Sequence, residues 1–150
     1  MVTKVIKYKG FDGEDIEEVL RFNLTKAEIM NLNNKYAAQG GLINYLRKIL
    51  TDVKEDETYM SPFVTVIQTL LLAAYGEKTE DGKFIKKKYG CALADEFESS
   101  EAYSQLLMEL ISDEGSKEID RLILGMFPQD MIDQATFDDK RNQLQNALKN

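Results

Sequence analysis

The chain contains no histidine and only one cysteine, and both shortages restrict its chemistry. Without histidine there is no Ser-His-Asp or Cys-His machinery, no His-ligated zinc site and no imidazole to act as a general base near neutral pH. Cys91 alone forms neither an internal disulfide nor a cysteine-rich metal site. The two common glycine-rich phosphate-binding motifs are also missing. We therefore expect a binding protein, not an enzyme, with no catalytic residues, no cofactor and no metal ion.

Long apolar runs are missing as well. The longest apolar-rich stretch, residues 63–75, is interrupted by threonine and glutamine and is too short to cross a bilayer. The N-terminal residues, MVTKVIKYKG, lack the apolar segment and small-residue cleavage site of a signal peptide. These absences predict a cytoplasmic protein that does not bind membranes.

The charge balance is acidic. Nineteen Lys and Arg residues against 26 Asp and Glu residues give a formal charge of -7, and the resulting field repels phosphate backbones. Nucleic acid is therefore not an expected partner, whereas a protein with basic patches is favoured. A length of 150 residues, 43% of them hydrophobic, is enough for one domain with a sizeable core.

The order of patterns along the chain predicts a mainly α fold, with an N-terminal β-hairpin followed by a compact bundle of about six helices. Strands at residues 2–9 and 16–24 flank an Asp12-Gly13 turn. Thr25 and Glu28 form a capping box, Ser61-Pro62 opens a third helix, and Ser99 or Ser100 caps a later one. The six main predicted helices are 26–38, 42–53, 61–75, 91–97, 100–112 and 119–127. A short helix at 131–135 and a polar terminal helix at 137–148 follow them. We predict a single domain over 1–150, comprising the hairpin (1–24), the helical core (25–135) and a polar C-terminal helix or tail (136–150).

Residues 77–90 form a charged, glycine-punctuated segment that predicts a loop or a short hairpin around Asp81-Gly82. Its spacing partly resembles a calcium-binding EF-hand loop that begins at Glu77. Position twelve is Lys88, however, a positive charge where a bidentate glutamate is needed, so calcium binding is disfavoured. Its three consecutive lysines are typical of a solvated loop or of a contact with an anionic partner.

Four ordered segments carry a resemblance to a known family. They are FNLTKAEIMNL (22–32), AAYGEKTEDGKFIK (73–86), FESSEAYSQLLMELISDE (97–114) and LILGMFPQD (122–130). Together they resemble the tail assembly chaperones of long-tailed, siphovirus-type phages and prophages of Gram-positive bacteria. The resemblance covers residues 7–131, nearly the whole chain.

This resemblance implies a non-structural morphogenesis protein that acts in the host cell cytoplasm and is absent from the mature virion. Members of the family bind and solubilise the tape measure protein and help recruit the major tail tube protein. A longer form made by programmed ribosomal frameshifting commonly accompanies the short one, and self-association into a homo-oligomer is expected. The alternative is a structural tail component or tail-completion protein that stays in the virion; a helical adaptor or antitoxin-like regulator is a further rival.

No motif fixes the residues that would contact a client. Methionine adapts to varied helical surfaces, although a methionine on an apolar stretch more often fills a gap in the core. Lysine side chains would contact an anionic surface. The candidate partner-binding residues are Met108, Met126, Phe127, Met131, Lys86, Lys87 and Lys88.

Overall fold

The computed structural model describes residues 1–52, 60–112 and 116–128. Six strands, six α-helices and a 3-10 turn at Ala37–Gln39 make up the described part of the chain. The strands are β1 (Val2–Lys9), β2 (Asp15–Phe22), β3 (Tyr75–Lys78), β4 (Phe84–Ile85), β5 (Lys87–Lys88) and β6 (Cys91–Ala92). The helices are α1 (Lys26–Lys35), α2 (Leu42–Asp52), α3 (Met60–Ala74), α4 (Leu93–Glu98), α5 (Glu101–Ile111) and α6 (Ser116–Met126).

The N-terminal hairpin is the first half of a four-stranded antiparallel sheet with the order β1-β2-β3-β4. In the hairpin, Val2 lies opposite Phe22 and Lys9 lies opposite Asp15. β3 joins the sheet because Tyr75 pairs with Phe22 and Gly76 pairs with Arg21. Just beyond this pairing, the Asn23 amide donates to the Ala74 carbonyl at 2.8 Å. Strands β5 and β6 form a separate two-stranded sheet.

The prediction of a mainly α fold was wrong, because residues 75–92 add four short strands. We predicted that the third helix would end at Gly76, but α3 ends at Ala74 and Gly76 lies in β3. We also predicted that Cys91 would begin a helix, but it lies in β6. Strands of two to four residues are too short to show an alternating pattern. β3 also depends on its pairing with β2, which lies far earlier in the chain.

Capping residues set where the helices begin. The Glu28 amide donates to Thr25 Oγ1 at 3.2 Å, and the Thr25 amide donates to Glu28 Oε1 at 2.9 Å, so the predicted capping box is confirmed. The Tyr103 amide donates to Ser100 Oγ at 3.2 Å, which makes Ser100 the cap of α5. The predicted helices 131–135 and 137–148 lie outside the described residues.

The chain divides into two compact units. The first is Met1–Leu24 with Leu70–Met126, and the second is Thr25–Thr69 with the described residues after Met126. In the second unit the Leu42 amide donates to Asn33 Oδ1 at 3.2 Å, and the rings of Tyr36 and Tyr45 stack at 5.1 Å. The organisation as a single domain stays a prediction.

The core of the first unit lies between one face of the hairpin and the helices α5 and α6. Alternate strand residues point inward, and those buried are Val2, Ile6, Leu20 and Phe22. They meet buried side chains of the two helices, including Leu106, Leu110 and Leu122. The last turn of α6 is fixed to the end of the hairpin, because the Leu24 amide donates to the Met126 carbonyl at 2.7 Å.

Candidate functional site

The three candidate lysines divide into one structural and two exposed residues. Lys86 Nζ donates to the Ala73 carbonyl at 2.7 Å, so its charge lies at the C-terminal end of α3, where a cation interacts favourably with the helix dipole. Its own carbonyl accepts from the Leu93 amide at 2.9 Å, at the start of α4. Lys86 therefore links the end of α3 to the start of α4, and its ammonium group already has a hydrogen-bond acceptor within the chain.

Lys87 and Lys88 form strand β5 and are exposed. Lys88 Nζ lies 3.7 Å from Glu77 Oε2 and 5.8 Å from the centre of the Tyr89 ring. Both interactions are at the surface, where such pairs contribute little to stability. The charges of Lys87 and Lys88 are therefore accessible to a partner.

Tyr89 and Gly90 form the two-residue turn between β5 and β6. Both have a positive φ, 52° for Tyr89 and 76° for Gly90, the pattern of a type I′ turn. Asparagine, aspartate and glycine are the usual residues at the first position, because a larger side chain is strained there. The Tyr89 side chain is nonetheless 94% exposed. We call residues 87–92 the basic hairpin.

The apolar candidates are not brought together. Met108 lies on α5 with 68% of its surface exposed, and so has apolar surface available to a partner. Met126 is 1% exposed and Phe127 is also buried, so neither presents a surface in this arrangement. Met131 lies outside the described residues. Client binding by any of these residues stays a prediction.

Other exposed apolar side chains were not among the candidates. Phe11 is fully exposed in the turn of the N-terminal hairpin. Val5 and Val19 lie opposite each other on the outer face of the hairpin, with about half of each side chain's surface exposed. The alternation of the strands could have predicted this exposure, since Val5 and Val19 are next to the inward-facing residues Ile6 and Leu20. Met30, on α1, is exposed in the second unit.

A cleft of about 460 Å³ is lined by residues of β2, β3 and α4. The rings of Tyr75 and Phe97 stack there with centres 3.9 Å apart. Burial and then the charges of nearby glutamates, Glu18 first, raise the pKa of Tyr75 to about 12. The charged residues that line the cleft are Glu18, Arg21, Glu77, Lys78 and Glu96. With three carboxylates against two cations, the cleft favours a neutral or cationic group over an anion.

No group of carboxylate or cysteine side chains suited to a metal ion occurs among the described residues. Within the same ranges, no helix has the length and apolar character that a membrane span requires. A family model for phage tail assembly chaperones matches residues 1–149.

The chain belongs to the phage tail assembly chaperone family. Comparisons with curated proteins and with solved structures gave no significant match. Because the chain belongs to this family, its partners are proteins of the phage tail. A chaperone role also favours binding over catalysis. The accessible surfaces of the chaperone are thus the places to look for a partner, and in the first unit they include Met108, the outer face of the hairpin and the basic hairpin.

Proposed function

We propose that this chaperone binds the tape measure protein, keeps it soluble and helps to recruit tube subunits during tail assembly. The observation that carries the proposal is the family match, which extends over residues 1–149. The expected setting is the host cytoplasm, with release of the chaperone before the virion is complete. A frameshifted longer form and further copies of the chain itself are its proposed assembly partners.

The surface chemistry supports a holding role. A protein that shields an aggregation-prone client needs exposed apolar side chains that adapt to different helical surfaces, together with surplus charge that keeps the complex dissolved. Met108 supplies such a side chain on the first unit and Met30 supplies one on the second. The formal charge of -7 supplies the solubility.

Co-expression with the tape measure protein of the same phage tests the proposal. We expect the fraction of client in the cleared lysate to rise when the full chain is present, and the two proteins to purify together. An unrelated acidic protein of similar size is the control, because it adds charge without a binding surface. Equal client solubility with and without the chain would contradict the proposal.

Mass spectrometry of purified virions separates the proposal from a structural role. A chaperone that leaves during assembly is absent from the particle or present only in traces. Abundance in a fixed ratio to the tube protein would instead favour a structural tail component or a tail-completion protein.

A further inference from the structure

The turn of the basic hairpin carries a residue that is poorly suited to its backbone. Tyr89 has a φ of 52°, in the left-handed region where a side chain larger than asparagine is strained. A two-residue turn of this type is favourable with asparagine at that position and glycine after it, and Gly90 already occupies the second place. An asparagine at position 89 would therefore suit the turn better than tyrosine.

Contacts within the chain do not offset this strain. The Tyr89 side chain is 94% exposed, so its ring gains almost nothing from burial. The ring is approached by Lys88 Nζ at 5.8 Å, a weak contact at an exposed site. Tyrosine is also a residue type that is enriched in the centres of protein interfaces. A strained, exposed aromatic residue with so little internal stabilisation is the pattern expected of a binding residue.

The charge around Tyr89 differs in sign from that of the chain as a whole. Residues 77–92 contain five lysines and three acidic residues, which gives this segment a formal charge of +2. Since the whole chain has a formal charge of -7, the other residues together have a charge of -9. Lys87 is exposed and forms no ion pair with the described residues. Lys88 has only a surface contact with Glu77 at 3.7 Å. A partner that brings carboxylates to this hairpin would meet the exposed charges of Lys87 and Lys88.

We propose that the basic hairpin binds an acidic segment of the protein that the chain chaperones, with the Tyr89 ring as the apolar anchor and Lys87 and Lys88 as the charge contacts. This inference rests on the proposed function and identifies both the surface that performs it and the chemistry of its partner.

Tyr89→Asn separates binding from folding, because it removes the ring and also relieves the strain. We expect the full-length variant to unfold at a Tm about 2–4 °C higher than the wild-type chain. In co-purification with the tape measure protein, we expect its affinity to fall at least about fivefold, as for an interface anchor. Phe11→Asn is the matched control, since Phe11 is also a fully exposed aromatic residue in a hairpin turn but lies outside the basic hairpin.

Lys87→Glu tests the charge contact. This variant should also bind the client more weakly, and its difference from the wild-type chain should shrink as salt screens the surface charges. If Lys87→Glu binds as well as the wild-type chain, or binds better, the acidic partner is ruled out.

The outcomes distinguish this inference from the proposed function. If the wild-type chain and Tyr89→Asn hold the client equally well, the inference fails while the proposed function stands. The inference also fails, with the proposed function intact, if Phe11→Asn loses as much affinity as Tyr89→Asn or if Tyr89→Asn lowers the Tm. If the wild-type chain itself does not hold the client, the proposed function fails and this inference fails with it.

Discussion

Gly125, in the last turn of α6, lies against the first strand of the sheet. A Cβ atom added at this position would stand 2.4 Å from Val2 Cβ and 2.7 Å from Val2 Cγ2. Carbon atoms pack favourably at about 3.5–4.0 Å, so one of the two backbones would have to move by about 1 Å. Rotation of the Val2 side chain offers no relief, because Cβ is fixed to the backbone.

The Gly125→Ala substitution therefore sets helix propensity against packing. In an open helix, alanine in place of glycine stabilises by about 1 kcal/mol. Overpacking of a close contact costs about 1–3 kcal/mol, and the 2.4 Å approach indicates the upper end of that range. We expect a net loss of about 2 kcal/mol, which corresponds to a fall in Tm of about 4–8 °C.

Urea and thermal unfolding of the full chain measure this loss. Lys117→Ala is a suitable control, because Lys117 is exposed near the start of α6 and its loss should change stability by less than about 0.5 kcal/mol. Adding Val2→Gly removes the opposing Cβ, so the two substitutions together should cost clearly less than the sum of the two alone. If Gly125→Ala raises the Tm, α6 does not approach β1 closely enough for the clash to matter, and the reasoning is refuted.

Three further predictions concern other parts of the chain. Met108→Gln should change stability by less than about 0.5 kcal/mol but lower the soluble fraction of co-expressed client. Ser104→Gln, at an exposed position of the same helix, should leave the soluble fraction unchanged, and an equal loss of soluble client in both variants would exclude Met108 from the client-binding surface. Thr25→Ala should destabilise the chain by about 1 kcal/mol in urea unfolding, since the cap of α1 is lost, and an unchanged midpoint would show that this cap adds nothing. Tyr75, with its pKa raised to about 12 from the ordinary value of 10.0, should stay protonated when unfolded tyrosines ionise, so stability should fall as pH rises from 10 towards 12. Ultraviolet absorbance of tyrosinate checks this, because the difference between the wild-type chain and Tyr75→Phe reports the ionisation of Tyr75 alone. A difference that grows around pH 10 instead of towards pH 12 would refute the prediction.

The features that the sequence predicted correctly are those set by neighbouring residues. The capping box of Thr25 and Glu28 and the cap at Ser100 depend on bonds that reach only three residues along the chain, so both helix starts followed from the sequence. The N-terminal hairpin also has a local cause, because its two strands alternate and are joined by a turn that contains Asp12-Gly13.

Features set by distant residues were not predictable in this way. β3 is a strand because Tyr75 and Gly76 pair with Phe22 and Arg21, and nothing in the short stretch itself shows that pairing. The three consecutive lysines look equivalent in the sequence, yet the fold places Lys86 on the Ala73 carbonyl and leaves its two neighbours exposed. The sequence also does not show whether a methionine in a helix is buried, since Met108 is exposed on α5 whereas Met126 is buried on α6.

The hydrogen bond between Leu24 and Met126 joins two residues that are synthesised far apart in time. A ribosome adds about 5–20 residues per second, so on the order of 5–20 s separate the synthesis of Leu24 from that of Met126. For most of that time the hairpin lacks α5 and α6, which cover its apolar face, and β2 lacks β3 until residue 78 has been made. The nascent chain therefore exposes an unpaired strand edge and an uncovered apolar surface long before the first unit can close. The first unit of this chaperone therefore closes only near the end of synthesis, after its own apolar surface has been exposed.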